Sequence, residues 1–171
     1  MQGFIQVYTG NGKGKTTAAF GLTLRAAGAG KTVFFAQFVK GRMYSEIRAA
    51  EKFLPSVTIK QYGLGCFIVN KPQQQDVEAA GKGLKEVSQI INSGSYDLVV
   101  LDEANIAMYY NLFSAKEVIK ILKKKKPETE IIITGRYAPP EIIEIADLVT
   151  EMKEIKHYYT RGIEAREGIE F

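Results

Sequence analysis

The densest chemistry in the chain lies in Thr9-Gly10-Asn11-Gly12-Lys13-Gly14-Lys15-Thr16-Thr17, directly after the apolar run of residues 4–8 and directly before a helix-like stretch. A strand, a glycine-rich turn and a helix start together make a cradle for phosphate. The glycines let consecutive backbone N–H groups turn inward on a polyphosphate. The helix N-terminus adds positive potential, Lys15 brings a mobile cation, and the Thr16 hydroxyl is a ligand for Mg²⁺. Gly10, Asn11, Gly12, Lys13, Gly14, Lys15, Thr16 and Thr17 are therefore the candidate nucleotide-binding residues. The spacing departs from GxxxxGK[ST]: counting back from Gly14-Lys15, the first glycine falls on Thr9, with Gly10 one place late. This predicts a loop that is tighter than usual or differently shaped.

A second signal is Tyr96-Asp97-Leu98-Val99-Val100-Leu101-Asp102-Glu103, an apolar strand ending in two carboxylates. After a phosphate loop, such a strand is expected beside the loop's own strand, its terminal acid reaching Mg²⁺ directly or through water. Asp102 and Glu103 are the candidate metal residues with Thr16, one of the two acids holding structure and the other facing the metal. An Asp-Glu pair elsewhere would read as a solvated turn. Lys40, after Gln37 at the end of a second apolar run, and Arg136, in Thr134-Gly135-Arg136 after another, are candidate phosphate or substrate contacts on the same rim. Arg25, inside the first helical stretch, is a weaker candidate.

These residues need a frame, and the apolar periodicity supplies one. Short β-branched or aromatic runs at 4–8, 33–39, 57–62, 98–101, 131–134 and 148–152 alternate with helical stretches at 15–29, 73–92, 114–126 and 139–146. That alternation predicts a single α/β domain over residues 1–171, a P-loop (RecA-like) fold with a mostly parallel central sheet and helices on both faces. Gly28 and Gly30 end the first helix, Ser114 with Glu117 makes a capping box, and Pro139-Pro140 opens the last helix. Residues 62–72, with Cys66 to Val69 between glycines and a proline, fit either a loop whose apolar side chains need covering or a strand extension.

Composition narrows the chemistry further. With 171 residues, 46% hydrophobic and 25% charged, the chain is of ordinary globular type. One cysteine and one histidine exclude an internal disulfide, a thiolate zinc cluster or a multi-histidine metal site. A net charge of +4 suits anionic ligands but is too small to indicate nucleic acid. The run Lys123-Lys124-Lys125-Lys126-Pro127 reads as a helix C-terminus, where cations meet the negative end of the dipole. The first eight residues lack a basic or long apolar leader and no later run could span a bilayer, so a cytoplasmic protein without membrane contact is expected.

A phosphate loop indicates a nucleotide, not a reaction. A motor or nucleic-acid ATPase would need a water-positioning base and usually an arginine finger. A small-molecule kinase would need a lid of several arginines, whereas the arginines here are scattered singly. No Ser-His-Asp, Cys-His or paired-carboxylate arrangement stands out, so the nucleophile is expected to arrive with the substrate.

The stretch from Tyr8 to Gly21, with its shortened glycine spacing, closely resembles the phosphate loop of the ATP:corrinoid adenosyltransferases of the CobA/CobO/BtuR type. Gln37-Phe38-Val39-Lys40-Gly41, Val100-Leu101-Asp102-Glu103, Thr134-Gly135-Arg136, Ala146 to Met152, Lys156-His157 and Gly162 to Phe171 continue the resemblance over nearly the whole chain. It implies transfer of the 5′-deoxyadenosyl group of ATP to the Co(I) of a reduced corrinoid, with release of triphosphate. The cobalt is then the nucleophile. By position, Gly10 to Thr17 bind the triphosphate, Lys15 neutralises it, and Thr16 and Glu103 hold Mg²⁺, making Lys15, Thr16 and Glu103 the catalytic set. The resemblance also implies an electron-donating flavoprotein and a homodimer. Relatives carry an N-terminal extension over the corrinoid, whereas this sequence starts almost at its first strand. Where relatives carry a tryptophan after the third strand, this chain has Gly65-Cys66-Phe67-Ile68, so Phe67 and Ile68 are the expected apolar cover of the corrin's lower face. His157 is expected to be structural, because an imidazole on cobalt would oppose loss of the lower ligand.

Overall fold

The computed structural model describes residues 2–65 and 71–171. Its frame is a six-stranded sheet of β1 (Ile5–Thr9), β2 (Val33–Phe38), β3 (Val57–Tyr62), β4 (Leu98–Asp102), β5 (Glu130–Thr134) and β6 (Leu148–Glu151), ordered β3-β2-β4-β5-β1-β6. Every pairing is parallel. The helices are α1 (Lys15–Gly28), α2 (Ser45–Phe53), α3 (Gln74–Ser93), α4 (Ala104–Tyr109), α5 (Ala115–Leu122) and α6 (Pro140–Ile145), and a 3-10 turn spans Tyr158–Arg161.

Helices cover both faces, as expected. On β2 the side chains of Val33 and Phe35 pack with Ala19 and Ala26 of α1, while Phe34, Ala36 and Phe38 pack with Ala80, Leu84, Val87 and Ile91 of α3 and Val118 and Leu122 of α5. Phe20 of α1 stacks on Phe35 with ring centroids 4.1 Å apart. A parallel strand covered twice must be apolar at every position, which is why Ile131, Ile132 and Ile133 are all fully buried. α5 begins with the expected capping box: Ser114 Oγ accepts the Glu117 N–H at 3.2 Å and the Glu117 carboxylate accepts the Ser114 N–H at 2.8 Å. α5 ends at Leu122, so the lysine run lies at and beyond its C-cap, and Lys125 donates to the carbonyls of Gly3, Lys126 and Pro127 outside the helix.

One topological expectation is overturned. β4 does not lie beside β1; β5 stands between them, pairing Val7 with Ile133 on one side and Val100 with Ile132 on the other. The phosphate loop and the acidic strand end are thus one strand further apart than expected, and Thr134 fills the interval. α2, α4 and the 3-10 turn were not legible in the sequence. α2 buries only Ile47 and Ala50, and α4 is six residues long, so neither offers a sustained apolar period.

Candidate functional site

The rim where the strands end carries a cavity of about 680 Å³. Its floor is the phosphate loop and the first turn of α1, one side is Val39, Lys40 and the start of α2, another is Glu103, Ile106, Tyr110 and Arg136, and a fourth comes from residues 154–171. The structure therefore brings together Asn11 to Thr17, Lys40, Glu103 and Arg136. Arg25 lies in the last turn of α1, outside the cavity lining. Phe67 and Ile68 lie outside the described residues.

The unusual glycine spacing has a steric origin. Gly12 N–H donates to the Met152 carbonyl at 2.6 Å, and Met152 N–H to the Thr9 carbonyl at 2.8 Å, so the loop is braced against the end of β6. A Cβ on Gly10 would sit 2.4 Å from that same carbonyl oxygen, and one on Gly12 2.7 Å from it. Gly10 also adopts φ +94° and Gly14, which precedes α1, φ +115°. Inside the loop, Lys15 donates to the carbonyls of Gly10 and Gly12, each at 2.7 Å. Burial pushes its ammonium below the usual lysine range.

Across the floor, alternation brings Gln37, Asp102 and Thr134 into a row on the α1 face of β2, β4 and β5. Gln37 is register-paired with Asp102. Fully buried Asp102 accepts from Thr16 Oγ1 at 2.9 Å, Thr134 Oγ1 at 2.7 Å, Lys40 Nζ at 3.0 Å and Gln37 Nε2 at 3.2 Å. Four donors employ its lone pairs, so Asp102 acts by holding the Thr16 hydroxyl and the Lys40 ammonium. Burial pushes the Lys40 ammonium down, but Asp102 and Glu103 more than reverse this, leaving it above the usual lysine range.

Glu103 is placed differently from its neighbour. It takes φ +59°, a left-handed conformation that carries its side chain out of the strand alternation and into the cavity lining. Among the described residues its ion-pair partner is Lys40, at 3.9 Å. Burial first, and then the Asp102 charge, hold its carboxyl above the usual carboxylate range. Val39 (φ +64°) follows β2 and Tyr137 (φ +58°) follows β5, so three of the four non-glycine residues with positive φ among those described flank this one rim. Bulky residues adopt that conformation only where the surroundings compel it.

Two features escaped the sequence. Gly41 and Gly63 allow the connections after β2 and β3 to pack backbone on backbone; a Cβ on Gly41 would meet the Gly63 oxygen at 2.3 Å. Residues 154–171, which show no helix or strand period, return across the phosphate loop. There Lys13 Nζ donates to Glu170 Oε1 at 2.7 Å, to the Tyr158 hydroxyl at 3.1 Å and to the Ile169 carbonyl at 3.2 Å. His157 Nδ1 accepts the Tyr159 N–H at 3.0 Å, capping the 3-10 turn.

Comparison with known proteins identifies the family. The model of the family "ATP:corrinoid adenosyltransferase BtuR/CobO/CobP" matches residues 1–171. A corrinoid adenosyltransferase from a Sinorhizobium species is 39% identical over 99% of this chain and 81% of its own length. One from Pseudomonas aeruginosa is 36% identical over 99% of this chain and 84% of its own, and one from Escherichia coli 34% identical over 99% and 86%. With a phosphate loop, an acidic strand end and a family match that spans all 171 residues, the chain belongs to the ATP:corrinoid adenosyltransferase family.

Proposed function

We infer that this protein transfers the 5′-deoxyadenosyl group of ATP to the Co(I) centre of a reduced corrinoid and releases triphosphate. The observation that carries this reading is one cavity in which the family's phosphate loop, with Lys15 and Thr16, faces Glu103 and Lys40. Co(I) supplies the electron pair, a Co–C bond forms at C5′, the C5′–O bond breaks, and its electrons leave on the triphosphate. The protein has to hold C5′ near cobalt, exclude water and stabilise the charge that accumulates on the leaving oxygens.

Gly10, Asn11, Gly12, Gly14, Thr16 and Thr17 would cradle the triphosphate with backbone N–H groups and hydroxyls, and Lys15 would exchange its two loop carbonyls for phosphate oxygens. Lys40 and Arg136, both in the cavity lining, would bind the remaining anionic oxygens. The donor set suits Mg²⁺, a hard cation that binds through few carboxylates and phosphate: Thr16 Oγ1 and Glu103 would hold it, while Asp102 orients Thr16. When bound, Mg²⁺ neutralises charge on the triphosphate. The corrin would lie toward residues 62–72, with Phe67 and Ile68 against its lower face, in a homodimer served by an electron-donating flavoprotein in the cytoplasm.

Anaerobic incubation with ATP, Mg²⁺ and chemically reduced corrinoid tests the reaction. Loss of the Co(I) absorbance with one triphosphate per adenosylated corrinoid is expected. ADP and orthophosphate as products would instead indicate an ATPase, and a phosphorylated acceptor a kinase.

A further inference from the structure

Lys13 is the cation of the phosphate loop that does not face the loop. All three of its N–H donors go to residues 158–170, and its ammonium also lies 5.8 Å from the centre of the Tyr158 ring. The acceptor carboxylate is itself held in place. Glu170 accepts the Arg166 backbone N–H at 2.8 Å and a hydrogen bond from the Tyr158 hydroxyl, with the Arg166 guanidinium 5.0 Å from the Tyr158 ring. The same segment also reaches α2, on both sides of Glu170: Ser45 Oγ donates to the Phe171 carbonyl at 3.1 Å, and Arg48 pairs with Glu167 at 3.3 Å. Residues 166–171 are therefore held against both the phosphate loop and α2, and Gly168, Ile169, Glu170 and Phe171 line the cavity.

We propose that Lys13 and Glu170 form a tether that holds residues 166–171 as the outer wall of the nucleotide cavity, so that Lys13 is a positioning residue for this wall and not a ligand of the triphosphate. This rests on the nucleotide reading of the cavity and deepens it. Three observations carry it together: the full use of the Lys13 donors by one segment, the double anchoring of that segment, and its place in the cavity lining. An ammonium already paired with a carboxylate adds little net field toward a polyphosphate, so its service to ATP has to be through the wall it places. The pair holds the Lys13 amine above the usual lysine range and, through Lys13 first and then Tyr158, the Glu170 carboxyl well below the usual carboxylate range. Protonation changes thus leave the tether intact between the ordinary values of 4.5 and 10.5.

The two roles for Lys13 predict opposite signs at Glu170. A tether predicts that Lys13→Ala and Glu170→Ala each weaken ATP binding by roughly two- to fivefold, the scale of a partly exposed ion pair. The double variant should be no worse than either single one. KM for ATP should rise while kcat at saturating ATP stays within about twofold. If Lys13 is a phosphate ligand masked by Glu170, Lys13→Ala weakens ATP binding but Glu170→Ala tightens it, and that result overturns the proposal. Calorimetric ATP titration of the full chain reads the sign directly, and Glu170→Gln serves if the alanine variant does not fold. Amide hydrogen exchange of residues 158–171 without nucleotide separates the tether from the nucleotide reading. Faster exchange in the Glu170 variants is expected, and unchanged exchange rejects the tether. A wild-type protein that binds no ATP rejects the cavity's assignment while the exchange arm still reads the tether, and faster exchange with unaltered ATP affinity rejects the wall's role.

Discussion

The Thr134 hydroxyl donates to Asp102 Oδ1 at 2.7 Å and accepts the Glu103 backbone N–H at 3.0 Å. One β5 side chain thereby sorts two adjacent acids, keeping Asp102 inside the sheet and letting the chain turn so that Glu103 faces the cavity. Removing the Asp102 carboxylate should strand the donors of Thr16, Gln37, Lys40 and Thr134 in a buried place. Asp102→Ala is expected to destabilise by about 3–5 kcal/mol, the cost of leaving a buried cation unpaired. For a domain of this size that is a fall in Tm of roughly 6–20 °C, read by thermal unfolding. Asp102→Asn, which keeps an acceptor, should lose less stability. An unaltered Tm in Asp102→Ala would show that the cluster does not support the fold.

Glu103→Gln should act in the other direction on stability. Burial and Asp102 raise its folded pKa above the ordinary 4.5, so the folded state holds this proton more tightly than the unfolded chain. Its contribution therefore declines as pH rises from 4.5 through the folded value, and above that range the acid makes folding less favourable than it is at low pH. The glutamine variant is expected to melt higher than wild type at pH 7 without nucleotide, with the difference shrinking below pH 4.5. Its adenosyl transfer should be slower and its Mg²⁺ titration weaker. An unchanged metal titration would move the metal role away from Glu103.

Lys15→Ala should remove the cation that meets the leaving triphosphate. One preorganised contact of this kind is worth roughly 3 kcal/mol in a transition state, so kcat should fall on the order of 10²-fold with ATP saturating. Near wild-type turnover would mean that the loop does not hold the triphosphate.

Gly12→Ala probes the bracing of the loop on β6. The added methyl would meet the Met152 carbonyl oxygen at 2.7 Å and the Lys153 carbonyl carbon at 3.0 Å, and neither backbone atom can move without disturbing the strand end. Overpacking of this kind costs about 1–3 kcal/mol. We expect a lower Tm and at least a tenfold rise in KM for ATP, measured by unfolding and steady-state kinetics. Alanine at the exposed Gly21 of α1, where a Cβ would meet nothing within 4 Å, should leave both almost unchanged.

Local chemistry made the phosphate loop, the acidic strand end and the α/β alternation legible from the amino-acid sequence. Gly10 to Thr17 declare themselves because backbone N–H groups can converge on phosphate only where side chains are missing, and β5 declares itself because a doubly covered strand must be apolar at Ile131, Ile132 and Ile133. The capping box at Ser114 and Glu117 is equally local. What only tertiary structure decided depends on residues far apart in the chain. Strand order inserted β5 between β1 and β4, and so set the Thr134 hydroxyl between the Asp102 carboxylate and the Glu103 N–H, with Asp102 buried and Glu103 in the cavity lining, a placement that residue types alone left open. The late first glycine became intelligible once β6 brought the Met152 carbonyl against Gly10 and Gly12. Lys13 reads in the sequence as one more phosphate cation, yet Glu170, 157 residues away, claims its ammonium. Hydrogen bonds and close approaches at that separation leave no period or motif in the chain, because the geometry that creates them belongs to the packed sheet.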